Sequence, residues 1–199
     1  MLKSWQEYRE FSRSFLSKYI ERPIARLLNR LGFSPNKITI LGLALNMVTA
    51  YQITVGNFFE SGILLILASS LDMVDGSLAR MQNKATKMGA LLDSYVDRLS
   101  EALIFLGLLI YYSNHQSETY IILLIYISVV SSFMVSYLRA RGEGLGVDCK
   151  VGFMTRPERI IVITFGLLLN QVVAALIIVS VLSTTTSLHR FWHIKNSLD

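Results

Sequence analysis

Cysteine is all but missing from this chain of 199 residues. Cys149 stands alone, so no disulfide within the chain can staple the fold. Charge is scarce too: Asp, Glu, Lys and Arg make up 17% of the sequence against 52% hydrophobic residues. With a mean hydropathy of +0.47, that balance excludes an ordinary soluble domain. The first 34 residues carry charges every few positions and hold no continuous apolar stretch, so a cleavable signal peptide is not expected. Internal repeats and low-complexity segments are absent. His189 and His193 are four apart but have no third ligand beside them, which argues against a zinc site.

What the chain does have is long apolar runs. A hydrocarbon core about 30 Å thick needs roughly 20 apolar residues per helical span. Six segments fit that ruler: 37–56, 58–78, 88–112, 119–138, 158–169 with a few flanking residues, and 172–188. Only Asn170 and Gln171 divide the last two. The uncharged run 160–183 exceeds one comfortable span, so it is split here, with a single long tilted helix as the competing reading. Lys and Arg are missing from the three connections this count places outside, at 57–60, 113–118 and 170–171. All 19 basic residues fall on the other side or at adjoining helix ends.

The expectation is an all-α integral membrane protein of the plasma membrane, multi-pass, with six transmembrane helices and both termini cytoplasmic. Residues 35–199 form the transmembrane domain, and residues 1–34 a cytoplasmic or interfacial segment. In that segment Trp5, Tyr8, Phe15 and Tyr19 recur at near-helical spacing among Lys3, Arg9, Arg13, Lys18 and Arg22, the pattern of an amphipathic helix against membrane lipid. The net charge of +5 and pI near 9.4 follow from the same bias and give no reason to expect nucleic acid as a partner.

Four aspartates interrupt this apolar sequence. On a helix, Asp72 and Asp75 lie at i, i+3, and Gly76, Ala79 and Arg80 continue the same face. Gly89, Asp93 and Asp97 step by four along the next span, and the short "MQNKATK" between the two lets those faces meet. Each buried charge in a span costs about 2.5–3.5 kcal/mol on an insertion scale, so the group demands a cation. Arg80 and Arg98 can offset part of it, but all-oxygen sites beside phosphate suit Mg²⁺ or Mn²⁺ better. Two such ions can grip a pyrophosphate and stabilise the attacking and leaving oxygens of an in-line displacement. Gly76, Ala79 and Gly89 either leave room for a ligand or permit close helix packing. Intramembrane aspartates also mark ion pathways, so an ion or proton transporter is the alternative from another class. The clustering of these residues toward one side speaks against it.

The string Asp72-x2-Asp75-Gly76-x2-Ala79-Arg80-x8-Gly89-x3-Asp93-x3-Asp97 resembles the signature of the CDP-alcohol phosphatidyltransferase family at every fixed position. The resemblance implies a membrane transferase of phospholipid biosynthesis, six-helical and commonly a homodimer. Such an enzyme moves a phosphatidyl group from a CDP-linked lipid, such as CDP-diacylglycerol, to an alcohol and releases CMP. It implies that Asp72, Asp75, Asp93 and Asp97 hold two Mg²⁺ or Mn²⁺ ions at a cytoplasmic active site, and that Asp97 is also the general base. It further implies that Gly76, Ala79, Arg80 and Gly89 frame the cytidine diphosphate, with Pro35, Asn36 and Thr39 of "SPNKIT" as the nucleotide-side element. Direct transfer is the expected route, with a covalent phospho-aspartate as the alternative.

A second informative stretch, residues 136–160, is basic. Arginine is suited to bidentate phosphate capture, so several arginines near a metal site point to a phosphorylated acceptor. Ser136-Tyr137-x-Arg139-Ala140-Arg141-x-Glu143-Gly144, followed by Gly152 and Arg156-Pro157-Glu158-Arg159, is similar to the prokaryotic phosphatidylinositol-phosphate synthase branch. The similarity implies that Ser136, Arg139, Arg141, Arg159 and Arg190 hold inositol 1-phosphate. Thr155 departs from it, standing where that branch often has glutamate. Glycerol 3-phosphate, equally anionic, is the rival acceptor. "RGEGLG" lacks the preceding strand and following Lys-Ser/Thr of a phosphate loop, so a flexible inter-helix connection is expected there.

Overall fold

The computed structural model describes residues 21–82, 84–115 and 118–198. Every regular element among the described residues is helical: α1 (Arg22–Arg30), α2 (Pro35–Thr54), α3 (Phe58–Met81), α4 (Lys87–His115), α5 (Thr119–Gly144), α6 (Arg156–Leu168) and α7 (Val172–Leu198). The aromatic and basic run from Trp5 to Tyr19, expected as an interfacial helix, lies outside the described residues.

Local chemistry explains where the helices begin and end. Pro35 opens α2, where its fixed φ and missing N–H cost nothing. Thr86 precedes α4 and accepts the Gly89 N–H on its hydroxyl at 3.0 Å, an N-cap. Four helices stop in one manner. Gly32, Gly56, Gly146 and Asn170 take positive φ just beyond α1, α2, α5 and α6. The following N–H then returns to the carbonyl five residues back, Phe33 to Leu28, Asn57 to Gln52, Val147 to Gly142 and Gln171 to Gly166, at 2.7–3.1 Å. This closure satisfies carbonyls that the helix leaves open. Asn170 therefore ends α6, and the run 160–183 is two helices rather than one long one.

The helices outlast the apolar runs. α5 continues past residue 138 to Gly144, and α7 past residue 188 to Leu198. Hydropathy marks where lipid contact ends, not where backbone hydrogen bonding ends, and the Arg139–Glu143 pair (2.9 Å, i, i+4) supports the extra turn of α5. The connection expected at "RGEGLG" accordingly begins only at Leu145.

The residues sort into two compact units, with α2, α3 and α4 contributing to both. One comprises Leu67–Asp97 with the described residues up to Leu45. Its core is Ala25, Ile38, Val74 and Leu78, flanked by Ile24, Leu28 and Leu71. Gln82 Nε2 closes the α1–α2 corner by donating to Asn29 Oδ1 at 2.9 Å and the Phe33 carbonyl at 2.8 Å.

The other unit comprises Asn46–Ile66 and the residues from Arg98 onward. Its core includes Leu65, Phe105, Leu108, Ile125, Leu167 and Leu176. Lipid gives apolar helices no hydrophobic reason to associate, so close approach through small residues matters. A Cβ on Gly107 would lie 2.6 Å from the Ala50 carbonyl oxygen, and one on Gly166 would strike Ala175. Ser128, Ser132, Ser180 and Ser183 are buried on α5 and α7, and Ser128 reaches the Leu176 carbonyl at 3.3 Å.

α3, α5 and α7 are each long and apolar enough to cross a membrane. α6, with 13 residues, rises only about 20 Å.

Candidate active site

The α3 and α4 registers bring carboxylates together as the sequence spacing predicts. Asp72, Asp75 and Asp93 each offer an oxygen, and all three oxygens lie within 4.8 Å of one another. Asp75 is buried, while Asp72 and Asp93 are half-buried. The donors are hard anionic oxygens without imidazole or thiolate, which fits a divalent ion of the Mg²⁺ or Mn²⁺ class. Asp97, one turn beyond Asp93 and half-buried, falls outside this set of three.

Thr39 stands behind the cluster. Its hydroxyl lies 2.6 Å from Asp75 Oδ2 and 3.2 Å from the Pro35 carbonyl. A hydroxyl has one proton, and the shorter contact marks the carboxylate as its acceptor. Thr39, expected at the nucleotide, thus orients a metal-type carboxylate. Pro35 is half-buried and Asn36 exposed at the same helix start.

Gly76 separates the two explanations offered for the small residues. A Cβ there would meet nothing within 4 Å except Arg80 Nη1 at 3.6 Å, so helix packing does not demand glycine. At Gly89 a Cβ would meet its own cap, Thr86 Oγ1, at 3.2 Å. Ala79 is half-buried and Arg80 exposed. Two residues missed in the sequence support this face. Ser77 donates to Glu21 Oε2 at 2.7 Å and accepts from Arg80 Nη2 at 3.0 Å, with Ser77 and Glu21 both buried.

The expected acceptor arginines divide by environment. Arg139 and Arg141 are exposed, the former paired with Glu143, and Ser136 is half-buried. Arg159 is sealed from solvent, giving Nε and Nη2 to Glu101 at 2.6 and 2.7 Å and Nη1 to the Met154 carbonyl at 3.3 Å. Arg190 is buried, donating from Nε to the Val151 carbonyl at 2.9 Å and from Nη1 to the Val135 carbonyl at 2.5 Å. Thr186 completes the arrangement by accepting the Met154 N–H at 3.1 Å. Glu158 accepts both the N–H and the hydroxyl of Thr155 at the start of α6. Glu101 had a signal in the sequence: it is the next step of four after Gly89, Asp93 and Asp97.

Cys149, also in this unit, is buried, and desolvation pushes its thiol pKa up, with the Arg190 and Arg139 charges pulling against that rise.

Residues 33–192 match the profile of the family described as CDP-alcohol phosphatidyltransferase. An archaetidylinositol phosphate synthase of Pyrococcus horikoshii is 34% identical over 184 residues, covering 90% of this chain and 95% of the relative. A crystal structure of the Mycobacterium tuberculosis phosphatidylinositol phosphate synthase with CDP-DAG bound superposes with a TM-score of 0.81 at 30% identity, covering 88% of this chain and 93% of that one. The same protein in complex with manganese and citrate gives a TM-score of 0.81 over 86% and 87% of the two chains, again at 30% identity.

Proposed function

The chain belongs to the CDP-alcohol phosphatidyltransferase family, and on that premise we propose that it transfers the phosphatidyl group of CDP-diacylglycerol to inositol 1-phosphate, releasing CMP. The observation that carries this reading is the convergence of Asp72, Asp75 and Asp93 within 4.8 Å. The donor lipid and the acceptor are supported by the relatives, whose names and bound CDP-DAG point to inositol phosphate lipids.

Asp72, Asp75, Asp93 and Asp97 hold two Mg²⁺ or Mn²⁺ ions. When bound, such ions supply the positive charge that polarises the lipid-side phosphate and stabilises departing CMP. Asp97 takes the proton of the acceptor hydroxyl. The hydroxyl oxygen bonds to the lipid-side phosphorus while the bond from that phosphorus to the bridging oxygen breaks, and that electron pair leaves with CMP. Gly76, Ala79 and Gly89, with Pro35 and Asn36, leave space for the nucleotide, and Arg80 meets its diphosphate. Thr39 holds Asp75 in place.

On the acceptor side, Ser136, Arg139, Arg141 and Arg190 supply donors and net positive charge for the phosphate. Arg159 contributes through its pair with Glu101 and its bond to the Met154 carbonyl, which fix the backbone there, rather than through a direct contact. α2–α7 cross the plasma membrane six times with the site and both termini cytoplasmic, a placement supported by the one-sided distribution of Lys and Arg. The working form is a homodimer.

The test is CMP release from CDP-diacylglycerol by the purified chain, with Mg²⁺ or Mn²⁺ and with EDTA, offered inositol 1-phosphate, glycerol 3-phosphate, inositol or serine. Metal-dependent release with inositol 1-phosphate is expected. Release with glycerol 3-phosphate instead moves the acceptor and leaves the chemistry, whereas no release with any of the four overturns the reading.

A further inference from the structure

Arg80 sits in the last turn of α3, exposed, on a side chain with four rotatable bonds. Left to itself such a group samples many rotamers, and ordering it when a ligand arrives would weaken binding. It is not left to itself. Nη2 donates to Ser77 Oγ at 3.0 Å, while Nη1 is the nearest heavy atom to the open space beside Gly76. One edge of the guanidinium is thus moored and the other overhangs the vacancy that glycine leaves.

The mooring has a direction. A serine hydroxyl donates once and accepts with its lone pairs. The Ser77 proton goes to Glu21 Oε2 at 2.7 Å, which leaves lone pairs facing Arg80. The carboxylate polarises the hydroxyl and makes it a better acceptor for the guanidinium, as hydrogen bonds in series strengthen one another. Ser77 and Glu21 are only 5% and 7% exposed, so water competes poorly for either contact.

From this geometry we infer that Glu21 and Ser77 are positioning residues for the donor substrate. They aim the Arg80 guanidinium at the diphosphate of the CDP-lipid, so that the residue entering α1 sets the affinity of a site built on α3. The inference rests on the functional reading above, in which Arg80 meets that diphosphate. Neither residue belongs to the family signature, whose fixed positions pass over 77.

The experiment compares wild type with Ser77→Ala, Ser77→Thr and Glu21→Gln in the full chain. It measures KM for CDP-diacylglycerol, KM for the acceptor, kcat, thermal midpoint, and direct binding of radiolabelled CDP. Ser77→Ala should raise the CDP-diacylglycerol KM and the CDP Kd about tenfold, the size of a lost hydrogen bond to a charged group. Acceptor KM should stay at its wild-type value, while the thermal midpoint falls by a few degrees because the buried Glu21 carboxylate loses its donor. Glu21→Gln should give a smaller rise of the same kind, and Ser77→Thr, which keeps the hydroxyl, should restore affinity. An unchanged CDP Kd in Ser77→Ala overturns the inference and spares the functional reading. So does a loss confined to thermal midpoint, or one that moves both KM values equally. A wild type that neither binds CDP nor releases CMP overturns both.

Discussion

Glu101 grips Arg159 through two hydrogen bonds of 2.6 and 2.7 Å, and the two side chains are 2% and 0% exposed. Removing one member strands a buried charge, at a cost of about 3–5 kcal/mol, whereas replacing both with apolar residues of similar volume is often neutral. Arg159→Ala and Glu101→Ala should each lower the thermal midpoint by about 10 °C. The double variant Glu101→Leu/Arg159→Met should recover most of that loss. Midpoints measured in detergent check the cycle, and a double variant as damaged as the singles would contradict it.

Thr39 donates its hydroxyl proton to Asp75 Oδ2 at 2.6 Å. Losing a group that orients a metal ligand typically weakens metal affinity by about 10–100-fold. Thr39→Val, which keeps the shape and deletes the hydroxyl, should raise the Mn²⁺ concentration for half-maximal CMP release by that factor. At saturating Mn²⁺ the rate should approach wild type.

Gly76→Ala separates fold from function. The added methyl meets only the far end of Arg80, and alanine gains about 1 kcal/mol of helix propensity over glycine. The thermal midpoint should hold or rise while the KM for CDP-diacylglycerol climbs. A loss of stability would instead return Gly76 to a packing role.

EDTA should abolish CMP release and excess Mg²⁺ or Mn²⁺ restore it, since a divalent ion held by the three converging carboxylates supplies the charge that stabilises departing CMP. Asp93→Asn should remain inactive at any metal concentration tested.

Burial raises the Cys149 pKa, so the fold keeps a proton that the unfolded chain gives up first as pH rises. Bound protons are then fewer in the unfolded state, and this thiol makes stability fall through the alkaline range rather than grow. At neutral pH the folded thiol should react with maleimide at least about tenfold more slowly than after denaturation, because the reactive thiolate is scarce and shielded. Equal labelling rates would show that the side chain is open to solvent.

Much of this architecture was legible from spacing. Steps of three and four fix which face a helical residue occupies, so Asp72, Asp75 and Asp93 could be placed together before any coordinate was known, and Asn170 could be picked as a break. The ends of α5 and α7 could not be read from hydropathy, because charged residues continue a helix as readily as apolar ones. Nor could the state of Arg159 be foreseen. A basic residue read from sequence as a phosphate ligand looks free until its partner is found 58 positions away. Glu21 and Ser77 were invisible for the same reason, since a hydrogen bond across 56 residues leaves no periodic trace.

The stretch between α5 and α6 has little regular structure, yet two guanidinium groups and a threonine hold its Val151 and Met154 backbone atoms. Connections are usually where a chain accepts extra length. Here an inserted residue would drag one carbonyl from its arginine and leave a buried donor unanswered, so this stretch acts as a spacer of fixed length. A tag, reporter or grafted loop placed between those two residues should fail where the same insertion in an ordinary surface connection would be harmless.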